Sequence, residues 1–282
     1  MSRAPETERR RLAFAEVGST NTLALEAARA GDPGPLWVTA ERQSAGRGRR
    51  GRAWVSEAGN LYASWLVVDP APVDQLSNLP LVASLGVRDG LARLLGDRAD
   101  RAVVKWPNDV LIGGKKAVGI LLESERLPDG RMAVVVGCGV NVAHVPTEAP
   151  YGVTSLKLEA AERPLDIVFD AVAGAVEAAF ALFRRGEGFG EVRRQWLSLA
   201  VGLGEPCRVN LADRSIEGRF EALDPQGRLI LRQDDGRTIA IAAGDLFFLG
   251  ADAREMPGIS ASGEAEDMKN VSRLNEATRA RP

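Results

Sequence analysis

The chain has a single histidine, His144, and only two cysteines, Cys138 and Cys207, in 282 residues. With one histidine there is no Ser–His–Asp or Cys–His set, and no His/Cys cluster to hold zinc. A covalent-nucleophile or metallohydrolase mechanism is therefore disfavoured, and His144, beside Val145-Pro146, reads as structural before catalytic. The cysteines lie far apart and match reduced thiols, not a disulfide framework. No apolar run is long enough to span a membrane, and Met1 to Arg11 carries charge without the apolar core of a signal peptide. These absences lead to the expectation of a cytoplasmic protein. A net charge of −2 supplies no global attraction to a polyanion.

What is present is ordinary in bulk, with 26% charged and 45% hydrophobic residues, and long enough for one large domain and a small one. Ser19-Thr20-Asn21-Thr22 precedes an apolar run to Ala30 and then Gly31, the pattern of N-cap, short helix and glycine stop. The side chains of Ser19 to Asn21 either cap this helix or also bond a ligand at its N-terminus. Leu36 to Ala40 and Asn60 to Val68 read as strands, and Leu79 to Leu95 as a core helix. Ala102 to Trp106 is a short strand ending at Pro107-Asn108-Asp109. A hairpin follows through Gly113-Gly114 into Ala117 to Leu122. Met132 to Val142 is a buried strand, and Pro164 to Phe183 and Glu191 to Leu199 are amphipathic helices. From Glu205 to Leu249, five short alternating runs broken by Asp224-Pro225-Gln226-Gly227 and Asp234-Asp235-Gly236 suggest a small SH3-like barrel. The fold class is thus α/β (α+β), a mixed sheet with helices packed on it plus that small barrel. The expected divisions are residues 1–202, 203–250, and a disordered tail at 251–282 without an aromatic residue.

Gln43-Ser44-Ala45-Gly46-Arg47-Gly48-Arg49-Arg50-Gly51-Arg52-Ala53-Trp54 connects two of the strands and has neither helical nor strand periodicity. Glycines let a backbone approach a ligand, and guanidinium forks suit carboxylate or phosphate. The segment reads either as a loop that closes on a small anion or as a solvated charge run or nucleic-acid patch. Other polar residues fall at strand ends of the same domain, namely Lys105, Asn108, Asp109, Lys116 and Asn141. Such a cationic set suits a reaction in which a carboxylate must meet a polyphosphate. Asp109 is either a hard-oxygen Mg²⁺ ligand or a turn residue after Pro107-Asn108.

The glycine–arginine segment resembles the signature loop of biotin protein ligases. Ser19-Thr20-Asn21, Lys105-Trp106-Pro107-Asn108-Asp109, Lys116-Ala117-Val118-Gly119-Ile120-Leu121 and Gly137-Cys138-Gly139-Val140-Asn141-Val142 are similar to the family's other motifs and follow its order. The resemblance implies a catalytic domain of the biotin/lipoate ligase type over 1–202. It also implies biotin activation by ATP with Mg²⁺ to biotinyl-5′-AMP, then transfer to a lysine of the biotin carboxyl carrier domain of a carboxylase such as acetyl-CoA carboxylase. It assigns Ser19, Thr20, Asn21 and Gln43 to the biotin ring system, and Arg47, Gly48 and Arg49 to the biotin tail and adenylate. Lys116 falls at the reacting oxygens, and Lys105 and Arg49 serve as neutralising catalytic cations. Arg50, Arg52, Trp54, Asn108 and Asn141 lie on the nucleotide side, and Asp109 is the metal ligand. Trp54 is a hydrophobic latch for the loop or a core tryptophan. The short segment before Ser19 leaves no room for a helix-turn-helix domain, so the monofunctional form is expected. No nucleic acid or membrane partner is expected, and a homodimer is allowed. A lipoate–protein ligase is the enzymatic alternative, and a nucleic-acid-binding module the alternative from another class.

Overall fold

A computed structural model describes residues 9–147, 149 and 151–249. The expected tail at 251–282 lies outside the described residues. The larger sheet has seven strands: β1 (Arg11–Val17), β2 (Leu36–Gln43), β3 (Leu61–Val68), β4 (Ala102–Lys105), β5 (Asp109–Ile112), β6 (Lys115–Arg126) and β7 (Met132–Val140). Their order is β1-β2-β3-β7-β6-β5-β4. β1 and β2 are parallel and every other pair is antiparallel, so the sheet is mixed as expected. β1 itself was not legible in the sequence. It is an edge strand with Leu12 47% and Phe14 40% exposed, so its alternation carries little burial signal.

Period-two alternation divides the sheet into two unlike faces. On one, Trp37, Trp65, Val118, Ile120, Val136, Cys138 and Val140 join a core with α2 (Leu79–Leu95) and α3 (Leu165–Phe183). Gly86 and Gly90 let these helices approach closely. A Cβ on either would come within 2.7 and 2.8 Å of the α3 backbone at Val176 and Val172. On the other face α1 (Thr20–Arg29) packs Ala24 and Ala28 on Leu36, Val38 and Leu66. That second face is bare of helix where β6 and β7 pair Gly119 with Gly139, whereas the next pair on that face, Leu121 and Gly137, lies under Asn21 of α1.

The second sheet contains β8 (Pro206–Asn210), β9 (Ser215–Leu223), β10 (Leu229–Arg232), β11 (Thr238–Ile241) and β12 (Asp245–Phe248), all antiparallel in the order β11-β10-β9-β8-β12. Four strands run as a meander and the fifth returns beside the first, consistent with the expected SH3-like barrel. The barrel does not hang free. Cys207, Val209, Phe220 and Leu246 belong to one apolar cluster with Trp106, Val104 and with Trp196 of α4 (Phe189–Ser198). Backbone bonds from Val104 N–H to Leu199 O (3.0 Å) and from Val201 N–H to Val104 O (2.9 Å) tie the connection to β4.

Candidate active site

A cavity of about 710 Å³ opens on the bare face of the sheet, bounded by α1, the arginine loop, the Lys105–Asp109 turn and β12. Its floor is made by absence. A Cβ on Gly119 would stand 2.7 Å from Trp54 Cζ3, one on Gly139 2.4 Å from Trp54 Nε1, and one on Gly137 2.2 Å from Asn21 Oδ1. Trp54 is half-buried with its indole on this floor, so it is not a core tryptophan.

One end of the cavity is a hydrogen-bond network of uncharged side chains, bordered by one ion pair. Gln43 Oε1 accepts from the Thr20 backbone N–H at 2.9 Å and from Thr20 Oγ1 at 3.0 Å, while its Nε2 donates to Ser56 Oγ at 3.0 Å. Ser19 sits at the N-cap position without a side-chain capping bond. The capping reading of Ser19 is therefore corrected: its side chain makes no cap bond, and the N–H of Thr20 in the first turn is taken by Gln43, 23 residues away. Ser64, fully buried on β3, has Oγ 2.7 Å from Thr20 Oγ1 and 2.6 Å from Asn21 Oδ1. Asn21 Nδ2 donates to Glu123 Oε2 at 2.8 Å, and Glu123 also pairs with Arg47 at 3.1 Å. Sequence reasoning missed Ser64 and Glu123. The signal for Ser64 was a small hydroxyl among the largely apolar residues of its strand.

The other end is charged. Lys116 Nζ lies 2.7 Å from Asp109 Oδ1 and 5.3 Å from the centre of the Tyr151 ring. Lys105, the register partner of Asp109, has its ammonium 5.3 Å from the Phe248 ring centre and 5.8 Å from that of Phe247. Arg49 spreads its fork between domains, with Nη1 donating to Asn108 Oδ1 at 2.9 Å and Nη2 to Gly244 O at 2.7 Å. Asn108 is fixed in turn by a bond from its Nδ2 to Ile120 O. Burial pushes the Arg49 guanidinium below its usual value, and Asp245 and Asp109 oppose that push. It still stays protonated at neutral pH, as guanidinium groups do. Gly48 and Arg52 line the cavity too. Arg50 does not: it turns from the expected nucleotide side to the barrel, where its Nη2 donates to Asn210 O at 3.0 Å. Asn141 borders the cavity, but its amide is spent on Thr154 O at 3.1 Å.

Among the described residues, Cys138 and His144 border the cavity without joining either end. Cys138 is buried, and burial pushes its thiol up to about 12, so it is no thiolate nucleophile. His144 is exposed at the mouth, its backbone held by Asn60, whose Oδ1 accepts from the N–H groups of Val142, Ala143 and His144. Among the described residues no three His, Cys, Asp or Glu side chains gather to cage a metal. Asp109 stands as one hard carboxylate beside cations. That donor set fits Mg²⁺ carried in on substrate phosphates, because Mg²⁺ commonly takes one or two protein carboxylates and completes its shell with phosphate and water.

A cavity with a neutral, hydrogen-bonding end and a cationic end suits the joining of a polar ring acid to a nucleotide, and comparison with known proteins agrees. Residues 13–141 match the biotin/lipoate A/B protein ligase family, and residues 202–249 match the biotin protein ligase C-terminal domain. The biotin--[acetyl-CoA-carboxylase] ligase of Paracoccus denitrificans is 40% identical over 243 residues, covering 84% of this chain and all of that protein. The bifunctional ligase/repressor BirA of Bacillus subtilis is 32% identical over 231 residues, covering 78% of this chain and 68% of the relative. The solved structure of the Aquifex aeolicus biotin protein ligase in complex with biotin and ATP has a TM-score of 0.72 at 27% identity, over 85% of this chain and 99% of that one. The chain belongs to the biotin protein ligase family.

Proposed function

We propose that this cavity is the active site of a biotin–protein ligase, a biotin--[acetyl-CoA-carboxylase] ligase in activity, with biotin and ATP as its substrates. The observation that carries the reading is the union, over one glycine floor, of a neutral ring-sized network and a cluster of cations closed by the arginine loop. The uncharged ureido ring of biotin has one carbonyl and two N–H groups, a match in kind for the hydroxyl and amide groups of Ser19, Thr20, Asn21 and Gln43, with Ser64 behind Thr20 and Asn21. Its carboxylate tail would pass under Trp54 toward Lys116.

In the first step a biotin carboxylate oxygen attacks the α-phosphorus of ATP. The bond from that phosphorus to the bridging oxygen breaks and pyrophosphate leaves, giving biotinyl-5′-AMP. Two anions must approach each other, so Lys116, Lys105 and Arg49 lower the barrier by standing charged and already oriented. Asp109 would hold Mg²⁺, which supplies charge neutralisation at the phosphates. In the second step the neutral ε-amine of an acceptor lysine attacks the anhydride carbonyl. The carbon–oxygen bond to AMP breaks, AMP departs, and the amide remains after the nitrogen loses a proton. Trp54 and the arginine loop cover the anhydride, which water would otherwise hydrolyse. The acceptor proposed is the biotin carboxyl carrier domain of a carboxylase.

The test is labelling of a purified carrier domain that requires both biotin and ATP, paired with biotin-dependent pyrophosphate exchange. Exchange supported by lipoate and not by biotin would replace this reading with its lipoate-dependent alternative.

A further inference from the structure

Lys116 faces the cavity because its strand is irregular. Val118 and Ile120 point into the helix-packed core, so strict alternation would send Lys116 there too. The register of β5 against β6 shifts between Val110 and Leu111, which face Val118 and Lys116. Ala117 is thus the extra residue of a β-bulge. It shares the core with Val118, and Lys116 turns to the face that carries Asp109. Bulges beside active sites re-aim side chains in this way, at the expense of regular pairing. The ladder between β6 and β7 ends at Val118 opposite Val140, short of Lys116. A segment from outside the named strands takes over: Lys116 N–H donates to Gly152 O at 2.9 Å, and Thr154 N–H donates to Lys116 O at 3.0 Å. A buried carboxylate ties this support together. Glu159 Oε1 accepts from Thr154 Oγ1 at 2.8 Å, and its Oε2 lies 2.7 Å from Arg101 Nη1. Arg101 in turn covers the Gly113-Gly114 turn that opens β6. Its carbonyl accepts from Gly113 N–H at 3.0 Å, and a Cβ on Gly113 would strike its guanidinium.

We propose that Glu159 is a positioning residue for Lys116, acting through Thr154 and Arg101 on the backbone that carries the lysine. Glu159 does not line the cavity, so its effect on the reaction passes through Lys116 and not through contact with a substrate. A buried carboxylate is costly unless its oxygens are engaged, and these two engage the segment beside Lys116 and the turn before it. Releasing either lets the bulge relax, and a small backbone rotation is magnified along the lysine stem. A displacement of about 1 Å at a reacting group can cost up to about a hundredfold in rate. The inference rests on the ligase reading, because Lys116 is the reacting cation only under it.

The experiment is a double-mutant cycle read by biotin-dependent pyrophosphate exchange in the full-length protein, with the melting temperature of every variant measured alongside. Glu159→Gln keeps the shape and loses the charge, and Thr154→Val replaces the hydroxyl by a methyl group. Each is expected to lower kcat about tenfold while the KM for biotin moves less than about twofold. Thr154→Ser, which keeps the hydroxyl, is expected to stay within about threefold of wild type. In a Lys116→Ala background the first two substitutions should change the residual exchange less than about twofold, because the group they position is gone. Losses that multiply in that background would overturn the proposal, since they would mark a general effect on the fold. Near-wild-type kcat in either folded variant would also overturn it, and would leave the ligase reading standing. If Glu159→Gln fails to fold, Thr154→Val and its serine counterpart carry the same cycle. Wild type without biotin-dependent exchange would remove the ligase reading and this inference with it.

Discussion

The two ends of the cavity are built in opposite ways. At the neutral end, Thr20, Asn21, Gln43 and Ser64 bond chiefly to one another; Thr20, Asn21 and Ser64 are buried, on a helix and a strand, and Gln43 closes β2. At the charged end, Arg49, Lys105, Asp109, Lys116 and Asp245 come from a loop, three strands and a second sheet, and they meet as ion pairs and cation–ring contacts. A fixed network of neutral groups loses little on burial and recognises shape. Charges shared between mobile elements can change partners, which suits a site where a triphosphate arrives and pyrophosphate leaves. The same contrast separates affinity for the ring acid from the capacity to activate it.

Removing Lys116 should break the charged end most severely. Lys116→Ala is expected to lower biotin-dependent pyrophosphate exchange at least about a hundredfold, since preorganised charge is usually the largest catalytic term. Near-wild-type exchange would reject Lys116 as the cation at the reacting oxygens. A side chain placed on the floor between the ends comes next. Gly139→Val would strike the Trp54 indole, and overpacking of about 1–3 kcal/mol predicts a rise of roughly ten- to a hundredfold in the KM for biotin. Isothermal titration that found unchanged biotin affinity would mean that Trp54 and the floor do not bound the ring acid. Ser64→Ala sharpens the neutral end alone. It leaves Asn21 Oδ1 without its partner, so the KM for biotin should rise about tenfold with the KM for ATP nearly constant. Equal effects on both substrates would show that the ends are not separable. Raising salt is the mildest perturbation, and a few hundred millimolar is expected to weaken ATP binding about two- to threefold and biotin binding less. Equal sensitivity of the two would contradict the assignment of charge to one end.

Local pattern carried the fold well. The helix at Leu79–Leu95 and the strand at Ser215–Leu223 begin and end where periodicity placed them. The residues that resemblance named also gather round one cavity, with Arg50 as the exception. What local pattern could not show is partnership over distance. Gly244 meets Arg49 across 195 residues, and Asp245 meets Arg52 across 193. In the sequence Asp245 is one more acid, at the start of a short strand. Gln43 read as a possible ligand contact, and its service to the N-terminus of α1 depends on a register that only the folded sheet supplies. Trp54 was open between two roles because the glycines that receive it lie 65 and 85 residues further on.

The apolar cluster that joins the barrel to Trp106 and Trp196 bears on how the protein unfolds. Trp106 is 2% exposed and is followed by a cis peptide to Pro107, one residue short of Asn108. Melting the barrel would uncover that tryptophan and the turn it anchors, so the two sheets are expected to lose structure in a single cooperative transition instead of two. Ligand that grips only the larger sheet would then raise the melting temperature of the barrel as well.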